Sequence, residues 1–362
     1  MGCVASSELP DFPDIPYRLK NSLLSKLANG GIWQREVELN AERRKQAPRT
    51  IRLERPESSQ KEPFELLLRG KFLGEGGFST CFEYRSSQGS VALKVVPKTK
   101  LKGAKAVAIM QNELMINRQL RHPNIVAYSE CFQDHRNIYL VLELCPYGTL
   151  FDVLLQRKKL TDTEIAFYVS QLLQGLAYLH SLNILHLDLK PENIFIAQDL
   201  RLKIGDFGVS KQIEPDGTCK LLGKTLLYAA PEVISKERVG FESDIWSLGV
   251  MMFVMWVGAS PFDASSRQDM KKRILAVDYA FPKHLRSNSP INQLIASILQ
   301  YTPQNRPSLL QIQRSSFMQS FELTRASRIS SWSSRDALPV TKNNLLRGIS
   351  SVSMNTTKIT GV

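Results

Sequence analysis

At 362 residues the chain is long for one domain and has room for two lobes with terminal extensions, and a 43% hydrophobic share lets it bury a sizeable core. Its formal charge of +13 comes from dispersed basic residues without zinc-finger spacing or an RNA-binding signature, which argues against nucleic acid and leaves anionic lipid or acidic protein as partners. Five cysteines, Cys3, Cys81, Cys131, Cys145 and Cys219, lack CxxC or metal spacing, which argues against a disulfide framework or a zinc site and suits a reducing compartment.

The opening MGCVAS fits the N-myristoylation pattern, with Gly2 as acceptor once Met1 is removed and Ser6 at the required place. Cys3 beside it is the candidate for palmitoylation. The pairing matters because one myristoyl chain holds a membrane only marginally, and a second lipid makes the anchor stable. No apolar core segment of a secretory signal is present, so the protein is expected in the cytoplasm, on the cytosolic face of a membrane. Residues 1–63 read as a flexible extension. Pro10, Pro13 and Pro16 punctuate its start, a short helix is possible around 22–28, and residues 41–61 are strongly charged.

Ordered structure is expected from Phe64. Residues 64–97 alternate apolar segments with glycine turns, as in a meander of antiparallel strands. Within it, Leu73, Gly74, Glu75, Gly76, Gly77, Phe78 and Ser79, with Cys81 just beyond, form a candidate phosphate-cradling loop in which glycines let backbone N–H groups approach closely. The strand VALKVV follows, and its Lys94 is placed to clamp nucleotide phosphates. A helical pattern over residues 104–120 carries Glu113, nineteen residues beyond Lys94. Paired strands are expected near 126–132 and 137–142. The stretch IYLVLELCPYGTL then crosses to a helical half, with backbone groups of Glu143 and Cys145 facing the adenine edge and Leu142 limiting the pocket behind it. Thr161 and Glu164 read as a capping box opening a long helix. The apolar run 246–258 is too short to span a bilayer and reads as a buried helix.

Residues 182–208, LNILHLDLKPENIFIAQDLRLKIGDFG, hold the chemistry. Apolar runs at 194–197 and 202–204 flank a polar turn, a hairpin with functional groups at both outer ends. Phosphoryl transfer needs positioning and charge neutralisation more than covalent help. Asp188 is therefore assigned to orient a substrate hydroxyl and accept its proton, and Lys190 to offset charge on the moving phosphoryl. Asn193 and Asp206 are hard oxygen ligands suited to Mg²⁺ on ATP.

Over residues 64–321 these motifs resemble the eukaryotic protein kinase superfamily: GEGGFS, VALK, Glu113, HLDLKPEN, DFG, APE at 230–232 and SDIWSLGV at 243–250. The resemblance implies an α+β, bilobal fold, with a β-rich N-lobe over 64–144 and a mainly α-helical C-lobe over 145–321. It also implies ATP and Mg²⁺ as cofactors, protein substrates, pairing of Glu113 with Lys94 to fix its aim, a Glu232–Arg306 pair, and support of the catalytic loop by Asp244. Lys190 in DLKPEN, and Thr225 ahead of APE as a further catalytic-site residue, are similar to the serine/threonine branch. LGEGGFSTCFE, KVVPK, LVLELC, IEPDG and FESDIWSLGV are most similar to polo-like kinases, with Cys81 and Cys145 among the shared features. A pseudokinase scaffold at membranes is the other reading.

The chain departs from polo-like kinases at several places. Residues 322–362 read as a disordered, basic, Ser-rich tail, too short for a polo-box region. Pro146-Tyr147-Gly148-Thr149 stands where arginines commonly follow the hinge, and Glu192 is similar to residues that select basic substrates in other serine/threonine kinases. Leu187 takes the place of the usual Arg before the catalytic Asp, and Leu221 that of the activating Thr. With both ends of the phosphate clamp gone, the activation loop is expected to order without phosphorylation.

Overall fold

The computed structural model describes residues 47–54, 64–213, 227–235, 237–285 and 288–322. Gly2, Cys3, the 22–28 helix, Cys219, Leu221, Thr225 and most of both extensions lie outside them.

Six antiparallel strands make the first lobe: β1 (Thr50–Glu54), β2 (Phe64–Glu75), β3 (Thr80–Ser86), β4 (Gly89–Pro97), β5 (Tyr128–Gln133) and β6 (Asn137–Glu143), in the order β1-β2-β3-β4-β6-β5. Alternation sends Leu67, Phe82, Tyr84, Leu93 and Val95 into one apolar cluster. The outermost strand corrects the start at Phe64, since β1 comes from the charged segment assigned to the extension. Its TIRLE alternation buries Ile51, which registers with Leu67, while the exposed Arg52 registers with the exposed Leu66. Just ahead of β1, the Tyr84 hydroxyl donates to the Pro48 carbonyl at 2.6 Å and the Arg69 N–H to Arg49 at 2.9 Å. An edge strand needs one inward apolar residue and a free ladder beside it, so net composition concealed it.

Helix α1 (Ala104–Gln119) lies against this sheet, with Met110, Glu113, Ile116 and Asn117 on its buried face at helical spacing. The second lobe is mainly helical. It contains α2 (Leu150–Arg157), α3 (Asp162–Ser181), α4 (Pro231–Ser235), α5 (Glu242–Val257), α6 (Arg267–Leu275), α7 (Pro290–Ile298) and α8 (Leu309–Gln313). The Thr161–Glu164 capping box forms at the start of α3, with the Thr161 N–H donating to the Glu164 carboxylate at 2.9 Å. Nearly every residue of α5 is buried, as an all-round apolar helix requires. A Cβ on its Gly249 would lie 2.4 Å from Ile298 Cγ2, so glycine there permits the close approach of α5 and α7. Among the described residues no helix is long and apolar enough to cross a membrane.

Short strands β7 (Ile184–Leu185) and β10 (Lys211–Gln212) pair with each other. The predicted hairpin forms as β8 (Ile194–Ile196) and β9 (Leu202–Ile204). Its buried residues join the large helical core, which anchors both outer ends.

Candidate active site

Lys94 enters the cleft from the middle of β4, where it registers with Cys81 on β3 and Leu140 on β6. Its ammonium pairs with the Glu113 carboxylate on α1 and with Asp206 Oδ1 at 3.1 Å. Burial alone would lower the Lys94 pKa, but the Asp206 and Glu113 carboxylates outweigh it and hold the group above its usual range as a fixed cation. The Lys94 charge in turn keeps the Asp206 carboxyl down at about 2. Asp206 has a φ of 62° and a side chain 46% exposed, so this carboxylate faces the cleft while Phe207 after it is buried. Asn112 Nδ2 donates to the Ser210 carbonyl at 2.8 Å, which ties α1 to the segment beyond.

The candidate phosphate loop is the turn between β2 and β3. The Gly76 N–H donates to the Ser79 carbonyl at 2.8 Å, and a Cβ on Gly76 would lie 3.2 Å from the buried Ser79 hydroxyl. Ser79 thus replaces a third glycine with a side chain small enough for this turn. Leu73 and Phe78 are exposed, Glu75 is half-buried, and a Cβ on Gly74 or Gly77 would meet nothing. Burial pushes the Cys81 thiol up to about 11 and the Cys145 thiol up to about 12, so both are neutral groups at pH 7.

Asp188 lies on the loop between β7 and β8. Its Oδ2 accepts from Lys190 Nζ at 2.6 Å and from Asn193 Nδ2 at 3.0 Å, and Nδ2 also donates to the Asp188 carbonyl at 2.8 Å. The Asp188 N–H donates to His186 Nδ1 at 3.3 Å, and the far side of that ring, Nε2, lies 3.1 Å from the Gly205 carbonyl. Those partners assign the proton to Nε2, and the buried imidazole ties the loop to the strand leading to Asp206.

Leu187 is half-buried and has a φ of 63°, a left-handed conformation uncommon for a side chain of this kind. Asp244 on α5 pins it. This fully buried carboxylate accepts from the His186 and Leu187 N–H groups, both at 2.9 Å, and lies 3.0 Å from His180 Nε2. Burial alone would raise the Asp244 carboxyl, but these donors hold it below the usual range. Beside the loop, Glu192 Oε2 is buried without a hydrogen-bond partner, and desolvation raises this carboxyl.

The donor set fits Mg²⁺. With Nδ2 of Asn193 spent on Asp188, its amide oxygen is left for a cation, and Asp206 offers a partly exposed, ionised carboxylate. Among the described residues no group of three or more His, Cys, Asp or Glu side chains could hold a metal, whereas Mg²⁺ keeps waters and takes its other ligands from phosphates. Thr225 lies outside the described residues.

Sequence reasoning missed Lys203, at the centre of a strand read as apolar. It is buried, and its Nζ lies 2.9 Å from Glu143 Oε2. A charge flanked by buried Leu202 and Ile204 was the available signal.

A sheet-roofed cleft, a cation held by two carboxylates and an Asp–Lys–Asn cluster below define a nucleotide-dependent phosphoryl-transfer fold. The family model described as the protein kinase domain matches residues 67–318, and the chain belongs to that family. It is 40% identical to the cell cycle serine/threonine-protein kinase CDC5/MSD2 of Saccharomyces cerevisiae, over 67% of this chain and 35% of that relative. It is 38% identical to serine/threonine-protein kinase plk-1 of Caenorhabditis elegans, over 70% of this chain and 39% of the relative. Likeness to serine/threonine-protein kinase PLK1 of Xenopus laevis is 39%, over 67% and 41%. The chain thus spans 35–41% of the length of these relatives, and its kinase domain is of the polo-like kind.

Proposed function

We propose that this protein is a serine/threonine protein kinase that transfers the γ-phosphoryl of ATP to protein hydroxyls. The observation that carries this reading is the complete, pre-assembled set of charged groups: Lys94–Glu113–Asp206 above, and Asp188 held between Lys190 and Asn193 below. Mg²⁺ bound by Asn193 and Asp206 would neutralise phosphate charge. Asp188 orients the hydroxyl and takes its proton, and Lys190 stays beside the same carboxylate to balance charge. Lys94, aimed by Glu113, holds nucleotide phosphate beneath the glycine turn, and hinge backbone at Glu143 and Cys145 receives the adenine edge. Phosphate transfer to a generic protein by the wild type but not by Asp188→Ala tests the reading. Equal signals would leave a scaffold instead.

The kinase acts at the cytosolic face of a membrane through lipid on Gly2 and Cys3, a reading supported by the MGCVAS pattern. Gly2→Ala is expected to move the protein from the membrane to the supernatant on cell fractionation. Retention would remove the lipid assignment.

The activation loop works without a phosphate clamp. Leu187 offers no guanidinium, while Asp244 accepts from the His186 and Leu187 backbone N–H groups and so holds the catalytic loop. Thr218, which lies outside the described residues, is the alternative phosphosite that the sequence offers. Thr218→Ala is expected to retain activity within about twofold; loss of activity, restored by Thr218→Glu, would show a phosphorylation switch.

A further inference from the structure

We infer that Lys203 is a positioning residue for nucleotide binding, acting through Glu143 on the hinge; this rests on the reading that the cleft binds ATP. Lys203 occupies the middle of β9, three residues before Asp206, and is 9% exposed. A lysine buried to that degree is costly unless its charge is matched. The match comes from the other lobe. Lys203 Nζ lies 2.9 Å from Oε2 of Glu143, the last residue of β6.

The pair closes a backbone seam. The Glu143 N–H donates to the Ala127 carbonyl at 2.8 Å, and the Ala127 N–H returns a bond to Glu143 Oε2 at 3.2 Å. On its other side, the same stretch is bonded to β9. The Val126 N–H donates to the Ile204 carbonyl, and the Ile204 N–H to the Asn124 carbonyl, both at 2.9 Å. Residues 124–127 are therefore a spacer zipped to the hinge on one edge and to the strand before Asp206 on the other. Packing leaves this seam no room to slide, because a Cβ on Gly205 would lie 2.8 Å from Val126 Cγ2 and 2.9 Å from Phe195 Cε2. Lys203–Glu143 is the side-chain tie across that spacer.

A positioning role follows from where the tie ends. Glu143 leads directly to the hinge backbone and Cys145, the groups assigned to the adenine edge. Carboxylate and backbone N–H of one residue are both fastened, so the hinge is held at a set height over the lower lobe. Sub-ångström placement of such groups governs binding. Lys203 touches neither the hydroxyl nor the transferred phosphoryl, so its loss falls on nucleotide affinity.

The test is titration of the full chain with a fluorescent ADP analogue, together with steady-state kinetics and a melting curve for each variant. Lys203→Met is expected to weaken binding and raise KM for ATP by about tenfold, with kcat at saturating ATP within about threefold. Lys203→Arg, which keeps the charge, is expected to stay within about threefold of wild type in both. Wild-type affinity in Lys203→Met, or a fall in kcat with KM unchanged, would overturn the inference. If Lys203→Met shows no folded baseline, Glu143→Gln decides. It keeps the shape and removes the charge, so weaker binding supports the tie and unchanged binding overturns it. Failure of the wild type itself to bind the probe would instead overturn the kinase reading on which the inference stands.

Discussion

Asp188→Asn is expected to lower kcat by about 10²–10⁴-fold with KM for ATP changed by less than about threefold, the range that loss of a positioned proton acceptor gives. The amide keeps the volume and one oxygen, so Lys190 Nζ and Asn193 Nδ2, now at 2.6 and 3.0 Å from Oδ2, retain an acceptor. What it removes is the negative charge and the ability to take a proton. Asp188→Ala also removes the Lys190 bond and one of the two Asn193 bonds, so its loss includes misplacement of the Asn193 amide. Comparing the two variants therefore separates chemistry from positioning. Steady-state phosphate transfer at saturating ATP is the measurement. An Asp188→Asn enzyme with near wild-type kcat would remove Asp188 from proton transfer.

Arg306→Met is expected to destabilise the kinase domain by about 3–5 kcal/mol, as breaking a buried ion pair does. All five guanidinium donors are used. Nε donates to the Gln300 carbonyl at 2.9 Å. One terminal nitrogen reaches Glu232 Oε1 at 2.8 Å and the Glu242 carbonyl at 2.9 Å; the other reaches Glu232 Oε2 at 2.8 Å and the Tyr301 carbonyl at 3.1 Å. The group also lies 5.0 Å from the ring centroid of the buried Trp246. Removing it leaves Glu232, 3% exposed, as a carboxylate without its cation, held among the described residues by the Ser243 hydroxyl at 2.6 Å. At about 2–4 °C per kcal/mol for a domain of this size, Tm should fall by roughly 10 °C. Calorimetry checks this, and an Arg306→Met, Glu232→Leu double variant should recover part of the loss, since no buried charge then remains unpaired. A single variant melting within about 2 °C of wild type would show that the pair contributes little to stability. The pair fixes α4 against α5 and the segment before α8.

Much of the site could be read along the chain because its chemistry is local. Asp188, Lys190 and Asn193 lie within six positions of one loop, and their mutual bonds follow from that spacing. The hairpin at β8 and β9, the capping box at Thr161 and the burial of α5 are likewise set by short-range pattern. The polo-like kinship also rests on motifs that stand intact in the linear chain.

Tertiary structure alone decided which charges meet across distance. Leu187 looked like a lost guanidinium; the fold shows a left-handed residue pinned by a carboxylate 57 residues further on. Strand β1 was hidden in a charged segment because an edge strand is fixed by the ladder it joins, not by its own hydrophobicity. Lys203 looked like an interruption in an apolar strand, since the Glu143 carboxylate that neutralises it belongs to the other lobe. Periodicity and local spacing report what a residue does to its neighbours in sequence. A buried charge is matched only after the chain has closed on itself, and its partner is known only from the fold.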